Sequence, residues 1–143
     1  MSTRTGLIGE MYASGIIMSL GLGFKVTHCP QDHVDLVAWK GDEFFRIQVK
    51  TAKISAEKDR RLPIYHFQFG HGQAMKHIGT VENYDILCCV AFDIRQALFL
   101  PVSQVLQYSK RLSPELFDAP KSEIETFSQA VDEVRRLRKQ KNG

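Results

Sequence analysis

One segment constrains the fold more than any other, residues 33–52 with the sequence HVDLVAWKGDEFFRIQVKTA. Apolar and polar residues alternate on both sides of its centre, and a period of two is typical of β-strands with one buried face. The central stretch, Lys40–Glu43, contains a Gly-Asp pair that suits a tight chain reversal. The segment therefore predicts a β-hairpin whose apolar face must be covered by other elements.

The polar residues of this hairpin are placed so that they can act together. With the reversal centred in Lys40–Glu43, Asp35 lies opposite Gln48, and opposed residues have Cβ atoms about 4.5 to 5.5 Å apart. Lys50 is a diagonal neighbour on the same face. A carboxylate and an amide at that spacing offer two oxygens to one cation. The alternative is a solvent-exposed amphipathic strand, which shows the same alternation.

Glu10 is a second acidic residue of interest, because its neighbours on a predicted helix are small or apolar. The apolar residues of this helix cover most of its circumference, so we expect it to be largely buried. Burying an unpaired charge costs several kcal/mol, so Glu10 needs a partner. Three interpretations remain open: a helix-start carboxylate stabilised by the helix dipole, a structural salt bridge, or a metal-site residue.

Apolar periodicity and chain-breaking residues give the order of the other elements. Because Pro101 has no N–H to donate, we expect its strand to lie at a sheet edge or to end there. The order helix, several strands, helix predicts an α/β or α+β fold, with a mixed central sheet flanked by an N-terminal and a C-terminal helix. Outside the hairpin, the predicted elements are helix 6–20, strand 24–28, strand 64–69, a weak helix 73–78, strand 84–92, strand 96–102 and helix 122–139.

Size and composition exclude several classes of protein. A chain of 143 residues with 43% hydrophobic residues suits a single domain over residues 1–143, with a core that needs no disulfide or metal. No apolar stretch approaches the roughly 18 to 20 residues of a membrane span, and the first residues do not resemble a signal peptide. Three cysteines, two of them adjacent, form neither a disulfide framework nor a zinc motif. We therefore expect a cytoplasmic protein without a membrane partner.

Charge is distributed unevenly, although the formal net charge is only +3. Two basic zones on a nearly neutral protein favour a partner with a phosphate backbone. For the C-terminal zone the alternative is a solvated, frayed helix end, and both interpretations stay open. The first zone comprises Arg46, Lys50, Lys53, Lys58, Arg60 and Arg61, and the second comprises Arg135, Arg136, Arg138, Lys139 and Lys141.

Several of these residues form a pattern that resembles the PD-(D/E)XK nuclease superfamily. The pattern consists of Gly9-Glu10 on a helix, Asp35 before an apolar strand, and then the sequence IQVKT at residues 47–51. Residues 84–87 and 98–102 resemble later strands of the small endonucleases in this superfamily. The restriction-endonuclease-like core of that superfamily is the fold that the resemblance implies.

The chain departs from the commonest superfamily pattern at two points. Gln48 stands where most members have Glu or Asp, and the Pro-Asp pair is represented only by Pro30 and Asp35. A glutamine at this position is similar to a branch of small intron-encoded homing endonucleases. The Gly-Glu helix is similar both to that branch and to archaeal-type Holliday junction resolvases.

The resemblance implies a magnesium-dependent DNA endonuclease. Asp35, Gln48 and the backbone carbonyl of Val49 would bind Mg²⁺, for which Mn²⁺ would substitute. Glu10 would hold the same ion through water or position a second one. Lys50 would orient the attacking water and offset charge on the phosphoryl oxygens. The residues expected to contact DNA are Thr51, Lys53, Lys58, Arg60 and Arg61.

The expected partners follow from the same resemblance. DNA, duplex or branched, is the substrate, and a nucleoid-associated protein is implied. Cutting two strands with one site per chain calls for at least two subunits, so we expect a homodimer or a homotetramer. Two other classes remain open: a catalytically decayed nucleic-acid-binding module, with Gln48 as the sign of decay, or a subunit of a larger DNA-processing assembly.

Overall fold

The fold is α+β, and it is described by a computed structural model for residues 4–55, 63–69, 79–107, 109–118 and 122–142. No helix within these residues is both long and apolar enough to cross a membrane. The predicted weak helix at residues 73–78 lies outside the described residues. The helices are α1 (Arg4–Ser19), α2 (Glu115–Asp118) and α3 (Ser122–Asn142), with a 3₁₀ turn at Val102–Gln104, and the strands are β1 (Lys25–Gln31), β2 (Val34–Lys40), β3 (Glu43–Ala52), β4 (Ile54–Ser55), β5 (Ile64–Gln68), β6 (Ile86–Ala91), β7 (Gln96–Pro101) and β8 (Ser109–Leu112).

The central sheet has five strands in the order β1-β2-β3-β6-β7. β3 and β6 pair in parallel, and the other neighbours pair antiparallel, so the sheet is mixed, as the sequence predicted. The predicted hairpin register is confirmed from Lys40 opposite Glu43 to Leu36 opposite Ile47. The uniformly apolar β6 lies inside the sheet and is fully buried.

The two faces of the central sheet are covered differently. On one face, called here the helix side, Ile47 and Cys88 pack with apolar residues of α1 and α3 such as Ile17 and Phe127. On the opposite face, called the strand side, Leu87 and its neighbours pack against the second sheet and α2. The N-terminal and C-terminal helices therefore flank the sheet as predicted, and both lie on the same face.

A second sheet of three strands, in the order β4-β5-β8, was only partly predicted. The alternation in residues 64–69 indicated β5, and Ile64, Tyr65 and Phe67 are its buried residues. β8 was missed, because its sequence SKRL contains a single apolar residue, Leu112, which is buried and pairs with Tyr65 of β5. A short strand that fills the core with one side chain has too little periodicity to be recognised.

The expectation that α1 is largely buried was wrong. Its buried residues, Gly9, Ala13 and Ile17, form a single stripe. Met11 and Met18 on the remaining surface are 61% and 53% exposed. A helix that covers one face of a sheet buries one side only, whatever the hydrophobicity of the other side.

The outward N–H groups of β7 are either bound by α3 or absent because of Pro101. The N–H groups of Ala97 and Phe99 donate to Glu123 Oε2 at 2.9 Å and to Thr126 Oγ1 at 3.2 Å. Pro101, the next residue that points outward, has no N–H. The edge position expected from Pro101 is confirmed, and no outward N–H of residues 97, 99 and 101 is left to pair with another strand.

Candidate functional site

Asp35 lies where β2 and β3 stop pairing. The last registered pair of their ladder is Leu36 with Ile47. One step further, the Val49 N–H donates to Asp35 Oδ2 at 2.7 Å, so a side chain replaces the backbone partner that β2 would otherwise supply. The two strands therefore part here, and the Asp35 carboxylate lies in the opening between them.

The same hydrogen bond fixes the direction of the Val49 carbonyl. The N–H and C=O groups of one strand residue point towards the same neighbouring strand. Because the Val49 N–H points to Asp35, its carbonyl oxygen is directed towards the same opening. The Asp35 carboxylate and the Val49 carbonyl therefore both lie at this opening.

Gln48 is a polar residue in a buried position. It is 7% exposed and pairs with Leu87 of β6, which belongs to the core of the strand side. Within the described residues, Gln48 Oε1 is buried and has no hydrogen-bond partner. An unsatisfied buried polar atom costs about 1 to 3 kcal/mol, so its presence in a folded protein calls for a ligand or a function.

Lys50 lies two residues further along β3, with its side chain partly buried on the strand side. Burial lowers the pKa of its ammonium, while the neighbouring Asp35 carboxylate opposes the shift. Its register partner on β6, Cys89, is fully buried, and burial raises the pKa of that thiol to about 12, so the thiol is neutral. The structure therefore brings Asp35, Gln48, Val49 and Lys50 together.

Glu10 approaches from the other layer of the molecule. It is carried by α1 on the helix side, its side chain is 13% exposed, and its Oε1 lies 4.0 Å from Nδ1 of His28. His28 pairs with Leu36, the residue next to Asp35. Glu10 thus lies beside β1, one strand away from Asp35, and His28 is a neighbour that the sequence did not assign to the site.

A glycine sets how closely α1 approaches β3. A methyl group added at Gly9 would overlap Thr51 Oγ1 and would lie 3.0 Å from Thr51 Cβ. The backbone of α1 therefore rests directly on Thr51, one residue after Lys50. Thr51 Oγ1 is buried in this contact and has no hydrogen-bond partner in the described part of the chain. The DNA contact assigned to Thr51 remains a prediction for a hydroxyl that packs under a helix.

The predicted DNA-binding residues fall into two groups. Lys53 is exposed, and its Nζ lies 5.2 Å from the centre of the Phe92 ring. Lys58, Arg60 and Arg61 lie outside the described residues. Their contact with DNA stays a prediction.

The arginines of the C-terminal helix are already paired with acidic residues. Arg135 makes a bidentate contact with Glu43 at 2.9 and 2.7 Å. Arg138 lies 3.3 Å from Asp85, which also binds Arg46. Arg136 pairs with Glu133 on the same helix. This pairing favours a structural role for the arginines of α3 over the role of a phosphate-binding surface.

The donor atoms at the opening suit a hard divalent cation. Among the described residues, no group of three or more His, Cys, Asp or Glu side chains could hold a metal ion. The opening instead offers the Asp35 carboxylate, the directed Val49 carbonyl and the unsatisfied Gln48 Oε1. Oxygen ligands in small number suit Mg²⁺, which keeps several waters. The unpaired amide oxygen is the observation that fits such an ion.

The fold matches a nuclease-like fold. No protein-family model matches the sequence, and no curated protein matches it. One solved structure with a similar fold is that of a bacterial homing endonuclease, I-Ssp6803I. The two chains are 17% identical, with a TM-score of 0.59 over 99% of each chain. At that identity the likeness shows the fold.

Proposed function

We propose that this chain is a metal-dependent DNA endonuclease of the PD-(D/E)XK type, which hydrolyses phosphodiester bonds. The candidate site consists of Glu10, Asp35, Gln48 and Lys50. The observation that carries the proposal is the buried, unsatisfied Gln48 Oε1 beside Asp35. The similarity of the whole fold to a homing endonuclease adds support.

Asp35, Gln48 Oε1 and the Val49 carbonyl would hold Mg²⁺, for which Mn²⁺ would substitute, with Glu10 contributing through water. When bound, the ion would polarise the scissile phosphodiester and make a water molecule more acidic. Gln48 supplies an oxygen without a negative charge, so the site depends on its two carboxylates for attraction. Mg²⁺ affinity is then expected to be lower than with a carboxylate at position 48.

Lys50 would stabilise charge on the phosphoryl oxygens. Its ammonium is partly removed from water, and a charge acts more strongly at low local dielectric. Asp35 beside it offsets part of the cost of burying the ammonium. The Val49 N–H binds one oxygen of Asp35, and the other oxygen would be the ligand of the ion.

More specifically, we propose that this chain cuts duplex DNA at a long sequence, because the solved neighbour is described as a homing endonuclease. A junction resolvase is the alternative within the same chemistry. A homodimer or a homotetramer is proposed in both cases, since each chain carries one candidate site.

The test is a cleavage assay on linear, nicked and four-way-junction DNA with Mg²⁺, Mn²⁺ or chelator. We expect cleavage with either ion and none with chelator, and we expect Asp35→Ala to abolish cleavage because this change removes the carboxylate at the opening between β2 and β3. Preference for junctions regardless of sequence would replace the homing proposal with the resolvase one. DNA binding without cleavage would indicate a decayed module. A protein that neither binds nor cuts any of these forms would indicate a subunit of a larger assembly.

Gln48→Glu tests the metal-ligand role of this position. The change adds a negative charge at the proposed cation site, so we expect tighter binding of Mg²⁺ and Mn²⁺, measured by calorimetry, with cleavage retained or increased. Without metal the variant should melt at a lower temperature than the wild type, because a buried carboxylate costs more than a buried amide. Unchanged metal affinity in a folded variant would argue against ligation at position 48.

A further inference from the structure

The second sheet narrows to a two-stranded ribbon along part of its length. β4 pairs only with Ile64 and Tyr65 of β5. Beyond that point, residues 66–68 of β5 pair with residues 109–111 of β8 and have no third strand among the described residues. A two-stranded antiparallel ribbon is one of the two elements that fit the major groove of DNA, which is about 12 Å wide.

The side chains of this ribbon divide by the strand alternation. Tyr65, Phe67 and Leu112 are buried against the strand side of the central sheet. The residues between them point the other way, and they form two opposed pairs, His66 with Arg111 and Gln68 with Ser109. Gln68 and Arg111 are exposed, while His66 and Ser109 are partly buried. We call these four residues the outer ribbon face.

The chemistry of the outer ribbon face suits base edges. Gln pairs in bidentate fashion with adenine and Arg with guanine in the major groove, and Ser accepts or donates to either. Neither β5 nor β8 contains an acidic residue, and Arg111 gives this face a positive charge. The charge and the hydrogen-bonding groups of this face are therefore complementary to duplex DNA.

The ribbon also lies on the side of the central sheet that carries Gln48 and Lys50, two residues of the candidate site. It packs on the strand side, where Lys50 lies against Cys89, and β3 contacts β5. The paired arginines of α3 lie on the helix side. A duplex at the candidate site would therefore meet the second sheet rather than the C-terminal helix.

We propose that the outer ribbon face reads the DNA sequence in the major groove, with Gln68 and Arg111 as the specificity-determining residues. This inference rests on the proposed endonuclease function and deepens it. It places sequence recognition on two short strands, and it separates that role from the chemistry of Asp35, Gln48 and Lys50.

The experiment begins with wild-type protein and a pool of random-sequence duplexes, bound without Mg²⁺ to prevent cleavage and sequenced after repeated selection. Dissociation constants are then measured on the selected duplex and on a scrambled duplex. For Gln68→Ala/Arg111→Ala we expect a loss of about 10-fold or more on the selected duplex, because each bidentate base contact discriminates by that order. On the scrambled duplex we expect a much smaller change.

The matched control is Gln129→Ala/Arg136→Ala on the exposed surface of α3, which removes the same residue types from the helix side. It should leave both constants unchanged, and thermal melting should show that both variants fold. Equal loss on both duplexes, or an unchanged ratio of the two constants, would overturn the inference. A wild-type protein that binds duplex DNA but selects no sequence would overturn it and leave the endonuclease proposal intact. Failure of the wild-type protein to bind any DNA would overturn both this inference and the endonuclease proposal.

Discussion

Lys50→Met is expected to lower the rate of DNA cleavage by about 10²- to 10³-fold, the usual effect of removing one charge-stabilising group from a phosphoryl or oxyanion site. DNA binding should change little, because removing one partly buried ammonium leaves the other proposed DNA contacts in place. The measurement is single-turnover cleavage with Mg²⁺, together with a binding titration. Lys25→Met, on an exposed position of β1, is the matched control and should cleave like the wild type.

The same substitution is expected to stabilise the fold. Burial lowers the pKa of Lys50, so the folded state disfavours the ammonium, and a methionine of similar length removes that cost. The cost is fully present below the lowered pKa. It is relieved as the pH rises from that value to the ordinary lysine value of 10.5, because the folded state releases its proton first. The melting temperature of the variant should therefore exceed that of the wild type at neutral pH, by a margin that shrinks in alkali. A less stable variant would contradict this account.

Gly9→Ala is expected to destabilise the protein by about 1 to 3 kcal/mol, the range for overpacking a well-filled contact. The added methyl group would overlap Thr51 Oγ1, and strand β3 cannot yield because it is held on both sides in the central sheet. α1 would have to move away and carry Glu10 with it. Chemical denaturation measures the stability, and the cleavage assay should show reduced activity in the folded fraction.

Two further variants isolate the cause of this effect. Gly15→Ala lies on the same helix with no atom within 4 Å of the added methyl group, and it should stabilise the protein by about 0.5 to 1 kcal/mol through helix propensity. Thr51→Ala, combined with Gly9→Ala, removes the overlapping hydroxyl and should restore part of the loss, so that the two changes are not additive. Equal stability of the Gly9 and Gly15 variants would show that the close contact does not matter.

The sequence predicted those parts of the fold that depend on neighbouring residues. The hairpin could be predicted because the alternation of apolar and polar residues over 33–52 fixes both its register and its buried face. Pro101 marked an edge strand because it lacks a donor. β8 could not be predicted, since a four-residue strand with one apolar residue carries no periodic signal. The face of the sheet that α1 covers could not be predicted either, because apolar residues cover most of the circumference of this helix.

The candidate site was likewise predicted only where neighbouring residues determine it. Asp35, Gln48 and Lys50 are close in sequence through the hairpin, so strand geometry alone brought them together. Three features needed the tertiary structure: the buried state of the Gln48 amide, the neighbour His28 beside Glu10, and the contact of Gly9 with Thr51. The pairing of Arg135 with Glu43, which are 92 residues apart, likewise could not be read from a basic run at the end of a chain. Sequence charge alone therefore suggested a DNA-binding surface where the structure has ion pairs.

The capped outer edge of β7 limits how two copies of this chain can join. A sheet that continues from one subunit into the next needs unpaired N–H groups along a border strand, and on β7 those of Ala97 and Phe99 are already bound while Pro101 has none. The opposite border, β1, has an irregular pairing between His28 and Gln31. An intersubunit extension of the central sheet would therefore have to run through β1, close to His28 and Glu10, and would couple assembly to the geometry of the candidate site.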